Sequence, residues 1–221
     1  VGGDGKIYIP SIPDYGELGG AIVMFDPKDP IQSQQTFRHI VKNQSIISLT
    51  YFDRKIFGST SIQGGLGAKP TEVEAKLFIW DVDEQRKMIE FSLDIPDLGQ
   101  PQSIGGLSIG PDGLLWGGVK STVFAMDPVS LKVVKYRNLF PEDTNWGEWG
   151  AYDIQWQNGL IHMCLGTRLV VIDPETLNFK HVANAEAFAV GDDGTIYFSP
   201  YPMKSLPSAH RIHLYRMRPR T

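Results

Sequence analysis

The sequence predicts an all-β fold assembled from repeated antiparallel units of four strands. Three observations lead to this prediction. An Asp recurs at the end of an apolar run, a second turn recurs upstream of these runs, and no segment sustains the period of an amphipathic helix. The 23 glycines and 15 prolines among 221 residues suit such a turn-rich chain.

The apolar runs that end in Asp are spaced at the length of one repeating unit. Three of these Asp residues precede Pro and one precedes Val, and they are Asp26, Asp81, Asp127 and Asp173. The steps between them are 55, 46 and 46 residues. These steps are at or above the roughly 40–50 residues of a four-stranded β-propeller blade. Asp caps the backbone and Pro presets φ in a type I turn, so each Asp-Pro pair predicts a tight turn.

The upstream turn is an Asp-Gly or Asn-Gly pair in most of its copies. Such a pair between apolar runs is the strongest short-range signal for a hairpin. With strands labelled a to d from the propeller axis outward, these pairs form a–b turns and the Asp-Pro pairs form c–d turns. The copies are Asp4-Gly5, Asp53-Arg54, Asp112-Gly113, Asn158-Gly159 and Asp193-Gly194.

The repeats divide the chain, residues 1–221, into one propeller domain or a section of one. The expected order is a blade remainder at 1–44, blades at about 45–102, 103–150 and 151–184, and a second remainder at 185–221. The first remainder supplies strands b, c and d, and the second supplies a, b and c. Because these overlap instead of completing one blade, we expect a C-terminal section of a larger propeller of about six to eight blades. An irregular five-bladed ring is the alternative.

One stretch resembles a known group of repeats. It is Ile104-Gly-Gly-Leu-Ser-Ile-Gly-Pro-Asp-Gly-Leu-Leu-Trp116, followed by Val123-Phe-Ala-Met-Asp-Pro128. This pattern resembles the blade unit of the propellers that include SMP-30/gluconolactonase, virginiamycin B lyase and NHL or YVTN-type arrays. The recurring order of turns and apolar strands extends this resemblance over nearly the whole chain, and the resemblance implies the propeller fold. The shared residues are turns and core, so the resemblance does not assign an activity.

Charge and hydropathy exclude two classes of partner. Twenty-five acidic residues against 21 basic residues give a net charge of −4, which does not favour a nucleic-acid backbone. No apolar run approaches the roughly 18 residues that span a membrane, so we expect a soluble chain without membrane insertion. The only cysteine, Cys164, lies in an apolar strand and is expected to be a buried, inert thiol.

The long connections point to one functional face. In a propeller, the b–c and d–a connections emerge on the same face, and here they contain every long insertion: residues 10–20, 58–75, 95–102, 139–150 and 199–209. Binding residues concentrate on loops that a rigid scaffold holds. We therefore expect a ligand on this face.

The longest d–a connection carries Trp146, Glu148 and Trp149. Flat aromatic rings and a carboxylate suit a sugar, which stacks through its C–H face and hydrogen-bonds through its hydroxyls. The alternative is that both indoles cover the core beneath the loop. Further candidate ligand-binding residues on the loops are Glu17, Lys69 and Glu74, for which a solvated surface is the alternative.

Two acids at the ends of inner strands, Asp153 and Glu186, predict a divalent-metal site at the mouth of the channel. Ca2+ or Mg2+ would relieve their repulsion, with oxygen ligands completed by waters and by amides such as Gln44 or Gln102. The resemblance to SMP-30-like enzymes also implies a metal here. No Asn occupies an inner-strand position, however, so the ligand set of those enzymes does not carry over.

Three functions follow from these features. The leading one is a module that binds a carbohydrate or another polar small molecule on the long-loop face. The second is an enzyme of the lyase or lactonase type, with the channel metal and a base drawn from His210, Tyr15 or Tyr201. The third is a scaffold that binds a protein partner.

Overall fold

The computed structural model describes residues 1–143 and 153–200 and the backbone of strand 215–217, with Glu186 described by its backbone alone. All regular elements in this part are strands, so the predicted all-β class is confirmed. The described part contains no helix that is long and apolar enough to cross a membrane. The strands are β1 (Ile7–Ser11), β2 (Ala21–Phe25), β3 (Gln35–Arg38), β4 (Ser45–Phe52), β5 (Lys55–Ser61), β6 (Leu77–Asp81), β7 (Arg86–Phe91), β8 (Leu107–Ile109), β9 (Leu115–Val119), β10 (Thr122–Met126), β11 (Val133–Asn138), β12 (Ile154–Gln157), β13 (Leu160–Leu165), β14 (Arg168–Ile172), β15 (Phe179–Val190), β16 (Ile196–Pro200) and β17 (Tyr215–Met217).

The strands form four antiparallel sheets in which each strand pairs with its neighbours in sequence. The first sheet contains β1 to β3, the second β4 to β7, the third β8 to β11, and a six-stranded sheet contains β12 to β17. Strand β15 serves two blades, because its first half pairs with β14 and its second half with β16. The pairing of β15 with β16 shifts in register between Ala185 and Ala187, which marks a bulge at this point.

The sheets are arranged in a ring like the blades of a propeller. Innermost strands of successive sheets contact one another. Strand β4 contacts β8, β8 contacts β12, and β12 contacts β15. The N–H of Leu107 donates to Ser48 Oγ at 3.0 Å, and Gln155 Oε1 accepts the N–H of Val190 at 3.0 Å. Side chains thus link neighbouring inner strands that are not paired as a ladder. The propeller arrangement predicted by the repeats is confirmed.

Apolar cores fill the spaces between the sheets. Trp116 is completely buried between the third and fourth sheets, where its ring meets Trp156 edge-on at 5.9 Å between centroids. Phe78 and Phe124 are likewise fully buried. An aromatic side chain of this size removes roughly 150–250 Å2 from water, which stabilises the fold by about 4–6 kcal/mol at most.

Two sheets repeat a pairing of Gly on strand b with Phe on strand c. Gly58 lies directly opposite Phe78, and Gly117 lies opposite Phe124. A Cβ at Gly58 would lie 2.1 Å from Cζ of Phe78, and one at Gly117 would lie 2.6 Å from Cζ of Phe124. The ring of strand c therefore occupies the space above the glycine, and a larger residue would displace it.

Most of the a–b turns are hairpins in which Gly has a left-handed backbone conformation, whereas Asp53 and Arg54 take this conformation in the turn between β4 and β5, with φ values of +47° and +60°. Gly113 has a φ of +77°, and its N–H donates to the carbonyl of Gly110 at 2.9 Å. Asp112 supports the turn because its Oδ1 accepts the N–H of Leu114 at 3.1 Å. Gly adopts this conformation without steric cost, which explains the repeated Asp-Gly pair. The same closing bond runs from Gly5 to Gly2 and from Gly194 to Gly191.

The c–d turns are held by the carboxylate of the repeated Asp. Asp127 lies between β10 and β11, where its Oδ1 accepts the N–H groups of Val129 at 2.9 Å and Ser130 at 2.7 Å. Asp81 and Asp173 accept the corresponding N–H groups in their own blades. These backbone hydrogen bonds hold the pKa of each of the three carboxyl groups below its usual value.

Removing one of these carboxylates should destabilise the protein in a pH-dependent way. Because the pKa of Asp127 is lower in the folded chain, its stabilising contribution is present above about pH 4 and is lost as the pH falls through the lowered value. Asp127→Ala should therefore lower Tm at pH 7 and differ less from the unmodified protein near pH 2. Asp127→Asn keeps an acceptor oxygen and should lose less. Calorimetric melting across this range measures the difference, and a gap in Tm that stays constant with pH would contradict the assignment.

Candidate functional site

Where the structure describes them, the long connections join strand ends on the face that the sequence indicates. The b–c connections of the first two sheets span residues 12–20 and 62–76, the d–a connection after β7 spans residues 92–106, and the connection after β11 is described for residues 139–143. Strand β5 continues through Ser61, so the second insertion begins four residues later than the predicted 58. The b–c connections of the third and fourth sheets are tight turns at residues 120–121 and 166–167.

A cleft of about 400 Å3 opens on this face beside the third sheet, and we call it the Asp143 cleft. It is formed by the d–a connection before β8, the tight b–c turn before β10, the end of β11 and the start of the next connection. Its lining residues are Ile95, Pro96, Asp97, Leu98, Lys120, Ser121, Thr122, Tyr136, Asn138 and Asp143.

Polar groups surround an apolar floor in the Asp143 cleft. Leu98 is buried, and its carbonyl accepts a hydrogen bond from Lys120 Nζ at 2.7 Å. Ser121 Oγ donates to Asn138 Oδ1. Tyr136 stands at the rim with 45% of its surface exposed. The cleft thus offers hydroxyl, amide and carboxylate groups beside an aromatic ring.

Arg168 fixes the segment that closes the cleft. Its guanidinium contacts both carboxylate oxygens of Asp143, at 2.9 Å and 2.7 Å, and lies 4.1 Å from the ring centroid of Phe140. Glu142 adds a weaker contact at 3.8 Å. A paired and stacked Arg of this kind holds its partners in one geometry. The connection that begins at Leu139 is therefore anchored where it leaves the third sheet.

A second, more open cleft of about 820 Å3 lies at the loop end of the first sheet, and we call it the Arg38 cleft. It joins a smaller hollow of about 200 Å3, and Glu17 and Arg38 line both. Asp14 borders the larger space and His39 the smaller one. Acidic groups from the b–c loop thus face basic groups from the end of β3.

The loop that carries Glu17 is held by a glycine-rich neighbour. The N–H of Gly16 donates to the carbonyl of Leu66, and the N–H of Gly65 donates to the carbonyl of Glu17, both at 2.9 Å. A Cβ at Gly65 would lie 1.8 Å from the carbonyl oxygen of Asp14. The glycines within residues 64–67 therefore let two loops from adjacent blades approach closely.

The loop residues predicted to bind a ligand lie apart from one another. Glu17 lines the Arg38 cleft, whereas Tyr15 does not line it, is 73% exposed, and has its ring beside Gly67. Lys69 is exposed in the glycine-rich loop. Glu74 is paired with Lys76 and accepts a hydrogen bond from Ser92 Oγ at 2.7 Å, and these partners, Lys76 first, lower its pKa. A ligand at Glu74 would have to compete with both partners.

Five of the predicted site residues lie outside the described residues, and their roles stay predictions: Trp146, Glu148, Trp149, Tyr201 and His210.

The predicted metal pair is only partly described. Asp153 is exposed just before β12, and its Oδ2 accepts a hydrogen bond from Gln155 Nε2 at 3.1 Å. Glu186 lies at the register shift in β15. Gln44 is buried and bonded to Thr60 and to the backbone of residues 74 and 76, which occupies its amide. In residues 1–143 and 153–200, no group of three or more His, Cys, Asp or Glu side chains could hold a metal ion. The pair of Asp153 and Glu186 stays a prediction.

The buried titratable residues of the fourth sheet are structural. Burial raises the pKa of the Cys164 thiol to about 12, so the thiol is inert, as the sequence indicates. His162 is buried in β13, and burial lowers its pKa. Its Nδ1 has no hydrogen-bond partner in the described part of the chain. Both side chains lie within the packed sheet and away from the two clefts.

Sequence reasoning missed the residues that shape the two clefts. Arg38 ends the outer strand β3 and His39 follows it, Asp143 lies in the connection after β11, and Arg168 begins β14. Each is a single charged residue in a polar context, which resembles an ordinary solvated surface. Their positions in the repeat could have identified them, because all four lie just at or after the end of a strand d or next to a b–c turn, at the long-loop face.

Comparison with known proteins supports the fold. No model of a protein family matches the chain, and no curated protein matches it. The chain is similar to the extracellular domains of two B. thetaiotaomicron proteins named as a hybrid two-component and a one-component system. The identities are 10% and 13%, and the TM-scores 0.55 and 0.57, over 89% of this chain. A protein of unknown function from Bacteroides caccae is similar at 14% identity and a TM-score of 0.51, over 95% of this chain and 73% of that one.

These similarities establish the fold alone, because the identities are low. The chain spans about a quarter of the length of the two sensor domains, 24% and 25%. The particular propeller families that the blade pattern resembles stay a prediction.

Enlarging Gly65 should separate the two docked loops. In Gly65→Ala the new methyl group would collide with the backbone of Asp14, and overpacking of this kind costs about 1–3 kcal/mol. Amide hydrogen exchange should speed up at Gly16 and at residue 65, whose N–H groups bridge the loops. Gly99→Ala is the control in another loop, because nothing lies within 4 Å of a Cβ at Gly99, and it should leave exchange at Gly16 and at residue 65 unchanged. Unchanged exchange in Gly65→Ala would show that the loops do not depend on this contact.

Proposed function

We propose that the chain is a binding module that holds a carbohydrate or a similar hydroxyl-rich molecule in the Asp143 cleft. The observation that carries this proposal is the position of the cleft. It opens on the long-loop face at the root of the connection that bears Trp146 and Trp149. A rigid scaffold, an anchored loop and a concave surface with few convergent polar groups are the usual features of such sites.

The charges in the cleft favour a neutral ligand. Asp143 is neutralised by Arg168, and Lys120 is directed to the carbonyl of Leu98. Asp97 is exposed at the mouth of the cleft. The remaining groups are of the kind that bind sugar hydroxyls, namely the hydroxyl of Thr122, which is largely buried, and the Nδ2 group of Asn138, whose Oδ1 already accepts hydrogen bonds from Ser121 Oγ and from the N–H of Phe140. Tyr136 offers an aromatic surface on which the C–H face of a sugar ring can stack.

Chain connectivity limits how far the Cα atom of Trp146 can lie from this cleft. Three residue steps separate Asp143 from Trp146, and a chain spans at most about 3.3–3.6 Å per residue. Trp146 therefore starts within about 11 Å of the anchored Asp143, and an indole side chain reaches several ångströms further. A stacking role for Trp146 or Trp149 is consistent with this reach. The fold occurs in extracellular domains of bacterial sensor systems, which agrees with a binding role.

Substituting the aromatic residues should weaken sugar binding without unfolding the protein. We expect Trp146→Ala or Trp149→Ala, and Tyr136→Ala, each to raise Kd for a bound oligosaccharide by about tenfold, or 1.4 kcal/mol. Stability should change by less than about 1 kcal/mol, as at other exposed sites. Glycan-array screening would identify the ligand, and calorimetric titration would measure its Kd.

The control is Tyr15→Ala, which removes an exposed aromatic residue from the same face but outside the Asp143 cleft. It should leave Kd unchanged. If both Trp variants unfold the protein, the indoles belong to the core and the stacking platform is wrong. If no oligosaccharide binds the unmodified protein, the proposed ligand class is wrong.

Arg168 offers a separate test of the same site. Arg168→Gln should release Asp143 and loosen the anchored connection, so the affinity for the oligosaccharide should fall although Arg168 does not line the cleft. Arg137→Gln is a control, since Arg137 does not line the cleft and its guanidinium donates a hydrogen bond of 2.9 Å to the carbonyl of Leu177. Equal effects of both variants would indicate a general loss of stability instead of a role at the site.

A further inference from the structure

The Arg38 cleft combines charges of both signs that do not neutralise one another. No ion pair joins Arg38 to Asp14 or Glu17 in the described part of the chain, although all three line the same space. Asp14 Oδ1 accepts the N–H of Tyr15 at 2.7 Å, and this bond leaves its second oxygen available. The cleft is therefore lined by Asp14 and Glu17, which we call the acidic wall, and by Arg38 at the end of β3, which we call the basic wall.

The row of residues across the first sheet explains the hollow between these walls. Ser11, Ala21 and Arg38 lie directly opposite one another on β1, β2 and β3, so their side chains point to the same face of the sheet. The small side chain of Ala21 leaves a space flanked by Arg38. The next row contains Val23, which is partly exposed, and Ile12 borders the opening with 55% of its surface exposed. An apolar strip thus adjoins the charged groups.

Both walls are held before any ligand arrives. The acidic wall is pinned because the carbonyl of Glu17 accepts the N–H of Gly65 and the backbone of Asp14 packs closely on the same glycine. The basic wall is pinned because the N–H of His39 donates to the carbonyl of Gly20 at 2.9 Å. The backbone of both walls is thus fixed, while the side chains of Asp14, Glu17 and Arg38 are exposed, and a fixed backbone reduces the entropy lost on binding a small ligand.

We propose that the Arg38 cleft binds a zwitterion of the α-amino acid class, with its carboxylate on Arg38 and its ammonium on Glu17 and Asp14. A planar guanidinium matches a carboxylate with two parallel hydrogen bonds, and carboxylates bind an ammonium group. A dianion would be repelled by the acidic wall and a dication by the basic wall. A neutral sugar would desolvate these charges without pairing them, which is unfavourable. The apolar strip at Ile12 and Val23 suits an aliphatic side chain.

Three forms of one ligand separate the two charge contacts. L-Leucine carries both charges, N-acetyl-L-leucine lacks the ammonium group, and L-leucinamide lacks the carboxylate. We expect calorimetric titration to detect L-leucine, or another of the common L-amino acids with an apolar side chain, and to find each blocked form at least about tenfold weaker.

Variants of the protein assign each contact to its wall. Arg38→Gln should remove the preference for L-leucine over L-leucinamide, and Glu17→Gln should reduce the preference for L-leucine over N-acetyl-L-leucine. Lys28→Gln and Glu175→Gln are matched controls, because both residues are exposed on turns outside the cleft. These controls should bind L-leucine as the unmodified protein does.

Several outcomes would overturn the proposal. They are no binding of any common L-amino acid up to about 10 mM, equal binding of the blocked forms, or equal loss of affinity in the controls. The test does not depend on the carbohydrate proposal, because the Asp143 cleft shares no lining residue with the Arg38 cleft. Tyr136→Ala should leave amino-acid binding intact, so the two sites can fail separately.

Discussion

Packing of each sheet against the next governs the arrangement of the described strands and their connections. Every residue of β9 and β10 is buried, although successive side chains of a strand point to opposite faces. Burial on both faces requires a neighbouring sheet on each side, and a ring of sheets supplies it. The Gly58–Phe78 and Gly117–Phe124 pairs show how closely the strands fit within this packing.

The stacked sheets also determine how a site can be built. They bring the b–c and d–a connections to one face, and a few specific contacts then fix those connections. Arg168 holds Asp143 beside the third sheet, and Gly65 holds the loop of Glu17 beside the first. In both clefts, the strands and these contacts hold the loop backbone in place before a ligand binds, which lowers the entropy cost of binding. The two differ in charge, since one is nearly neutralised and the other presents both signs.

The fold was more predictable than the site, and particular residues show why. Asp127 and Gly113 form their turns through hydrogen bonds to residues two or three positions away, so their sequence pattern was sufficient. Glu17 was identified because it lies in a long loop, and it does line a cleft. Arg38 was missed because a charged residue on an outer strand is usually solvated. Glu74 was chosen for its charge, but Lys76 and Ser92 already occupy it.

The amino-acid pattern was sufficient to predict the all-β class, the repeated blade, the positions of the turns and the face that carries the long loops. These features depend on local periodicity and on hydrogen bonds within a few residues, which the order of amino acids encodes directly. The folded structure was needed to show that β15 runs unbroken from one blade into the next, and that Arg168 contacts Asp143, 25 residues away in the chain. It also decided that the loop of Glu17 docks on the glycines near residue 65. Contacts of this kind follow from how the sheets stack in space, and no local pattern specifies which distant residues the stacking brings together.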